Sequence, residues 1–182
     1  MSHKRNGAYK TDKDEWATPR SLFKLLDSEF QFSLDAAANI LNAQITPFFD
    51  KECDALKQSW GMGSVFLNPP YSQGNIDRFM QKAYEEGNKR ADREYVVCLI
   101  PVASDTRWWH NFVMKAKEIR FIKGRVKFVG FDEHGHQIKN SPTFSSCVAI
   151  FSSWHEEYWN QPYYKEGDKT VIYPLIGRTI YQ

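Results

Sequence analysis

The chain has 182 residues, 42% of them hydrophobic and 25% charged, with a formal net charge of +2. That length and balance describe one soluble domain with a full core, and they exclude a nucleic-acid binder that works by bulk positive charge. No apolar stretch reaches about 18 residues and no signal peptide is evident, so a cytoplasmic protein (bacterial, or in a phage-infected host) is expected, without membrane contact.

Residues 1–13 read as a flexible basic arm, in which Lys4, Arg5, Lys10 and Lys13 suit either phosphate contact or plain solubility; residues 14–182 read as a single domain. Thr18 is placed to cap a helix that opens with Pro19 and runs to about Phe30, with Leu22, Phe23, Leu25 and Leu26 as its apolar face. Phe30, Phe32 and Leu34 alternate as a strand that stops at Asp35-Ala36-Ala37-Ala38. A second strand is expected around Ile45 to Phe49, against the grain of Pro47. Gly61-x-Gly63 reads as a turn leading into Val65-Phe66-Leu67, a short buried strand.

Ile76 to Asn88 reads as a helix with Ile76, Phe79, Met80 and Ala83 on one side. Tyr95 to Pro101 is apolar on both faces, the mark of a central parallel strand. Trp108 to Lys117 is expected as a packing helix, Glu118 to Ile122 and Val126 to Val129 as short strands about Gly124. Gly130 to Ser141 reads as a polar, turn-rich connection, Thr143 to Phe151 as a strand, and residues 154–182 as an irregular aromatic segment. Strands alternating with helices give an α/β fold with a mostly parallel sheet.

Of the three cysteines, Cys98 and Cys147 lie in apolar runs and read, with Cys53, as reduced thiols of a cytosolic protein. No Cys or His spacing points to a metal; His134-Gly135-His136 suits a solvated turn.

The strand Val65–Leu67 ends in Asn68-Pro69-Pro70-Tyr71, and the carboxyl ends of strands are where open α/β sheets bind ligands. Each proline fixes φ, lacks an N–H and extends its predecessor, so the segment is stiff and keeps free carbonyls. The Asn68 side-chain oxygen and the Pro69 carbonyl suit the two hydrogens of a planar exocyclic amine, while Tyr71 suits stacking on its ring. Methylation of an amino nitrogen on a nucleobase or amide is the chemistry this serves; a plain turn is the competing reading. Lys123, Arg125 and Lys127 share one face if extended, with Arg120 nearby. They fit either a nucleic-acid contact or a charged strand edge.

In order, Asp14-Glu15-Trp16-Ala17-Thr18-Pro19, Phe32-Ser33-Leu34-Asp35-Ala36-Ala37-Ala38, Asp54-Ala55-Leu56 through Trp60, Asn68-Pro69-Pro70-Tyr71, Leu99-Ile100-Pro101 with Asp105-Thr106, and Gly124-Arg125-Val126-Lys127-Phe128 resemble the phage-type DNA N6-adenine methyltransferase family, the Dam-like group. The resemblance implies a compact class I, Rossmann-like methyltransferase using S-adenosylmethionine and no metal. Double-stranded DNA is its implied partner, in the setting of DNA methylation and restriction–modification, and a monomer is favoured.

It further implies catalytic roles for Asn68, Pro69, Pro70 and Tyr71. Cofactor contacts would come from Trp16, Thr18, Pro19, Asp35, Ala36, Ala37, Asp50, Asp54 and Asn68, and DNA contacts from Arg120, Lys123, Arg125 and Lys127. Asp35 at a strand end suits the cofactor's ammonium, the alanines permit close backbone approach, and Thr18 at a helix start suits its carboxylate. Asp54, with Asp50 as its substitute, suits the adenine amine or ribose; taken singly, all three aspartates also suit caps or solvated turns. Two features depart from the family pattern: no Gly-x-Gly follows Asp35, and the chain between Asp35 and Asn68 is short. An RNA or protein-glutamine N-methyltransferase and a non-enzymatic DNA-binding phage module are the alternatives.

Overall fold

The computed structural model describes residues 13–72, 74–131, 136–140 and 142–153, and the backbone of three short strands within 163–180. In chain order a 3-10 turn at Lys13–Glu15 precedes α1 (Arg20–Phe30), β1 (Phe32–Asp35), β2 (Ser64–Leu67), α2 (Asn75–Gly87) and β3 (Val96–Pro101). Then come α3 (Arg107–Asn111), β4 (Glu118–Ile122), β5 (Phe128–Phe131), β6 (Gln137–Asn140), β7 (Ser146–Phe151), β8 (Tyr163–Tyr164), β9 (Val171–Ile172) and β10 (Thr179–Ile180).

Six strands form the main sheet in the order β1-β2-β3-β7-β4-β10. The pairs β1–β2, β2–β3 and β4–β10 are parallel, and β7 lies antiparallel between β3 and β4. Only β7 runs against the rest, which refines the expected parallel sheet.

The two-residue period of the strands sorts side chains onto two faces. Phe66, Val97, Leu99, Val148 and Ile150 face α1 through Leu22, Phe23 and Leu26. Val65, Leu67, Val96, Cys98 and Ala149 face α2 and α3 through Met80, Ala83, Trp108 and Trp109. Helices therefore cover both faces, which is why β2 and β3 read as unbroken apolar runs. On the α1 side Phe66 meets Phe23 edge-on at 5.2 Å. Cys98 and Cys147 are buried free thiols, and burial pushes the Cys147 thiol up to about 12.

The entry to β2 is clamped by α2. Arg90 donates to the carbonyls of Gly61 (2.6 Å) and Gly63 (3.0 Å) and pairs with buried Glu86 at 3.3 Å. Gly63 has φ +85°, and a Cβ there would meet Ser33 Oγ at 2.6 Å, so both backbone and space demand glycine.

Several expectations need correction. Pro19 sits outside α1 with ψ 131°, so the helix begins at Arg20 and Thr18 does not cap it. The segment 45–49 is no strand but a single parallel bridge, Asp35 to Phe48; Pro47 contributes its carbonyl to Asp35 N and has no N–H to extend a ladder. The helix expected over 108–117 is five residues long and gives way at Phe112 (φ −128°) to a 3-10 turn, Val113–Lys115. Within the expected connection β5 pairs antiparallel with β6, and Lys123 to Lys127 precede them outside any strand. The basic arm, and side chains beyond 153, lie outside the described residues; β8 pairs with β9 antiparallel.

Helix α2 approaches β7 so closely that a Cβ on Gly87 would lie 2.4 Å from Phe151 Cβ. A Cβ cannot swing aside, so Gly87→Ala should destabilise the fold by about 1–3 kcal/mol, the usual cost of overpacking. Chemical denaturation reads this as a lower midpoint at unchanged m-value; an unchanged midpoint contradicts the close packing.

Candidate active site

Parallel strands deliver their carboxyl ends to one edge of the sheet. The register sets Asp35 opposite Phe66 and Leu67 opposite Cys98, so the chain leaves β1 and β2 side by side. Ala36 N–H donates to Phe66 O at 2.9 Å and stitches the two exits together. A cleft of about 500 Å³ opens here, lined by Ala36, Ala37, Ala38, Asp50, Asp54 and Pro70, and further by Phe49, Leu56 and Phe79. The alanines supply the room that a Gly-x-Gly loop would otherwise give. Asp14, Glu15 and Arg78 also reach its wall.

Asp35 is buried at 2% exposure, and its two oxygens are treated differently. Oδ2 accepts from Gln44 N–H at 3.0 Å, whereas Oδ1 is buried without a protein partner. Burial pushes the carboxyl up to about 6, against a smaller downward pull from the Gln44 and Ala37 backbone. The hydroxyl of buried Thr18 is likewise without a partner, and Gln44 Nε2 holds the Thr18 carbonyl at 3.0 Å. Gln44 therefore gathers both sequence-predicted groups around itself, and Arg20 donates in turn to the Gln44 carbonyl. Buried polar atoms without partners cost free energy unless a ligand meets them.

Asp50 Oδ1 accepts from the N–H groups of Glu52 (3.0 Å) and Cys53 (2.8 Å), which hold its pKa below the ordinary value. Asp54, at φ 49°, pairs with Lys57 at 2.9 Å, and that bond holds its pKa down too. Both are turn carboxylates, as their bland reading has it, and both also line the cleft.

Past β2, Asn68 is half-buried and held at both ends of its amide. Its Nδ2 donates to Trp16 O at 2.8 Å, and its Oδ1 accepts from the Tyr71 hydroxyl at 2.7 Å. Leu99 O lies 3.1 Å from the same hydroxyl. Burial drives the Tyr71 phenol well above its ordinary pKa, so it remains a donor. Its ring is wedged edge-on between Phe128 and Phe144, at 6.1 and 5.5 Å. The amide thus has a defined orientation: its nitrogen is spent on the protein, while its oxygen retains accepting capacity.

The family model for DNA N-6-adenine-methyltransferase (Dam) matches residues 6–171. The chain belongs to this family. It is also 32% identical over 128 residues to the DNA N-6-adenine-methyltransferase of Haemophilus phage HP1, a stretch covering 69% of this chain and 72% of that protein. The match favours DNA adenine over the RNA and protein-glutamine readings that the tetrapeptide alone left open, and over a non-enzymatic module.

Within this methyltransferase some site residues stand where the sequence reading had not set them. The Trp16 ring does not line the cleft: it stacks on Phe128 at 5.6 Å and 29°, and the backbone carbonyl is what reaches Asn68. Pro19 marks the start of α1, also away from the cleft lining. Arg120 is engaged inside the fold. It is 9% exposed, makes two 2.6 Å bonds to the Glu29 carboxylate and pairs with Glu118 at 2.9 Å. These partners hold its charge firmly, so it ties α1 to β4 and presents no cation to a ligand. Lys123, Arg125 and Lys127 are exposed, with Val126 buried between the last two.

Gln44, Phe49, Arg78 and Phe79 were not singled out from sequence. The sequence marks Phe79 only as part of a helix face, and no motif signals Gln44. Among the described residues no cluster of His, Cys, Asp and Glu could hold a metal ion, and no helix is long and apolar enough to cross a membrane.

The raised Asp35 pKa has a stability signature. Its folded value of about 6 exceeds the unfolded 3.8, so the ionised form is disfavoured in the fold and stability falls as pH rises through that window. Asp35→Asn lacks this loss. In the ligand-free protein the variant should gain on the wild type by about 2–3 kcal/mol between pH 4 and pH 7.5 in urea melts. A pH-independent difference contradicts a carboxyl whose burial outweighs the hydrogen bonds it accepts.

Proposed function

We propose that this DNA N6-adenine methyltransferase binds S-adenosylmethionine in the cleft at the ends of β1 and β2 and methylates an adenine extruded from double-stranded DNA onto the Asn68–Tyr71 shelf. The reading takes the sheet as a compact class I methyltransferase core. The observation that supports it is the juxtaposition, across the two adjacent strand exits, of a cleft lined by Ala36 to Ala38 and Pro70, the unpartnered polar atoms of Asp35 and Thr18 buried behind that lining, and an amide at Asn68 fixed with its acceptor available.

The chain's groups fit the cofactor. Asp54 or Asp50, which line the cleft, would take a ribose hydroxyl or the adenine amine; Asp35 Oδ1 would take the ammonium and the Thr18 hydroxyl the carboxylate, both from behind the lining at Ala36. Phe49, Leu56 and Phe79 offer apolar contact for its ring. When bound, the cofactor supplies an activated methyl on a sulfonium.

The residues around the substrate have a narrower task. The lone pair of an adenine amine is delocalised into the ring, which makes it a poor nucleophile. Asn68 Oδ1 and the Pro69 carbonyl would accept hydrogen bonds from its two N–H groups, turning the lone pair out of conjugation and aiming the nitrogen; as the new N–C bond forms and the S–C bond of the sulfonium breaks, one of these protons would pass to water. The prolines keep those carbonyls in place without helical partners. A base within the duplex cannot present N6 to this shelf, so extrusion is required. Tyr71, held edge-on by two phenylalanines, would meet the extruded ring. Exposed Lys123, Arg125 and Lys127 would contact phosphates beside β5 and β6.

Asn68→Ala tests the assignment. Turnover on unmethylated DNA should fall by at least about a hundredfold, as when one preorganised hydrogen-bonding group is removed. Calorimetric affinity for the cofactor should stay within a few-fold of wild type. Retained turnover, or a loss traced to cofactor affinity alone, removes Asn68 from the chemistry.

The DNA face is tested separately. Reversing Arg125 and Lys127 together should flatten the dependence of log affinity on log salt by about 2, close to one unit per phosphate contact. An unaltered slope takes both residues out of the interface.

A further inference from the structure

Residues Asp14 to Ala17 bond to both ends of the Asn68–Ser72 segment, to the turn at Asn42 and to β5. The Asp14 carboxylate accepts from Ser72 N–H at 2.8 Å, and Trp16 O accepts from Asn68 Nδ2 at the same distance. These two bonds take hold of the shelf at its first residue and just beyond its last. Ala17 is anchored to β5 by a reciprocal pair, its N–H donating to Val129 O at 2.8 Å and its carbonyl accepting from Val129 N–H at 3.0 Å. Glu15 O accepts from Asn42 Nδ2 at 3.2 Å, which ties the same segment to the turn beside Asp35. A tetrapeptide with two prolines has little means of holding itself by its own backbone, since it lacks two N–H donors. What holds it must come from outside.

Resting on the reading of Asn68 given above, we propose that Asp14 is a positioning residue for methyl transfer. With the Trp16 carbonyl it clamps Asn68–Ser72, so that the amide oxygen faces the amine at the moment of reaction. Trp16 O selects the orientation of the Asn68 amide, because a carbonyl can face only the nitrogen end, and the Tyr71 hydroxyl supports it at the oxygen. Asp14 fixes the far end of the shelf, and a carboxylate accepting from a backbone N–H makes a short, strong bond well suited to that purpose. Displacement of a reacting group by about an ångström can cost up to a hundredfold in rate without weakening binding. The effect of losing Asp14 therefore falls on turnover.

Three measurements on the full chain test this: steady-state kinetics, calorimetric cofactor affinity, and hydrogen exchange at the Ser72 amide. In Asp14→Ala, kcat should fall about tenfold. KM for DNA and the cofactor Kd should each stay within about threefold, and Ser72 exchange should quicken by at least about tenfold, the amide having lost its partner. Asp14→Asn keeps an acceptor but removes the charge, and should restore both kcat and Ser72 protection to within about threefold of wild type.

Unchanged kcat in Asp14→Ala, equal loss in both variants, or a loss confined to cofactor affinity overturns the proposal; the last two would assign Asp14 to the charge of the cleft it also lines. Wild-type protein that transfers no methyl to DNA defeats the parent reading instead. The Ser72 exchange rates still report whether the clamp exists.

Discussion

The Asn68 side chain has a donating end and an accepting end, and the site depends on which end faces out. The Trp16 carbonyl settles that by claiming the nitrogen, and the Tyr71 hydroxyl holds the oxygen from one side only. An amide free to rotate by half a turn would offer the amine of adenine a repelling N–H for half its time. On the proposed reading, fixing it before substrate arrives removes that penalty from the reaction, which is the sense in which the site would be preorganised. The bond from Ser72 N–H to Asp14 holds the far end of the Asn68–Ser72 segment, and Phe128 and Phe144 hold the Tyr71 ring.

The sheet explains why so small a chain assembles such a site. Three parallel strands, β1 to β3, leave their carboxyl ends on one edge, and the cross-link from Ala36 to Phe66 fixes the spacing of the first two exits. On the proposed reading, cofactor-facing and substrate-facing groups are then neighbours by topology. The price is burial of polar atoms without protein partners: Asp35 Oδ1 and the Thr18 hydroxyl lack one, and burial pushes the Asp35 carboxyl up to about 6. Stability surrendered at such positions is a common feature of binding sites.

Much of this was legible in the sequence, and the reasons differ by element. The strands Val65–Leu67 and Val96–Pro101 were plain because burial on both faces leaves an apolar run that few other structures produce. The shelf was plain because two consecutive prolines after such a strand leave little conformational freedom. Element ends were harder. Pro19 was read as the first helical residue, yet its extended ψ keeps it outside α1 and turns Thr18 inward instead of capping. Arg120 looked like a surface cation beside Lys123 and Arg125, but its partner Glu29 lies far away in sequence on another element. The Asp14–Ala17 segment escaped notice for the same reason: Trp16 acts through a backbone carbonyl, and no side-chain pattern encodes where a carbonyl points. Gln44 joins Asp35 to Thr18 across long separations and belongs to no motif.

The central claim is that this orientation of Asn68 receives the exocyclic amine of adenine and directs a methyl to it. Its most direct measurement is the position of the label after incubation of unmethylated duplex DNA with S-adenosylmethionine carrying an isotopically marked methyl, read by mass spectrometry of the digested nucleosides. The account predicts label on adenine N6, and none when hypoxanthine, which carries an oxygen in place of the amine, replaces adenine throughout. Label on cytosine or on a ring nitrogen, or equal labelling of the hypoxanthine duplex, would contradict it.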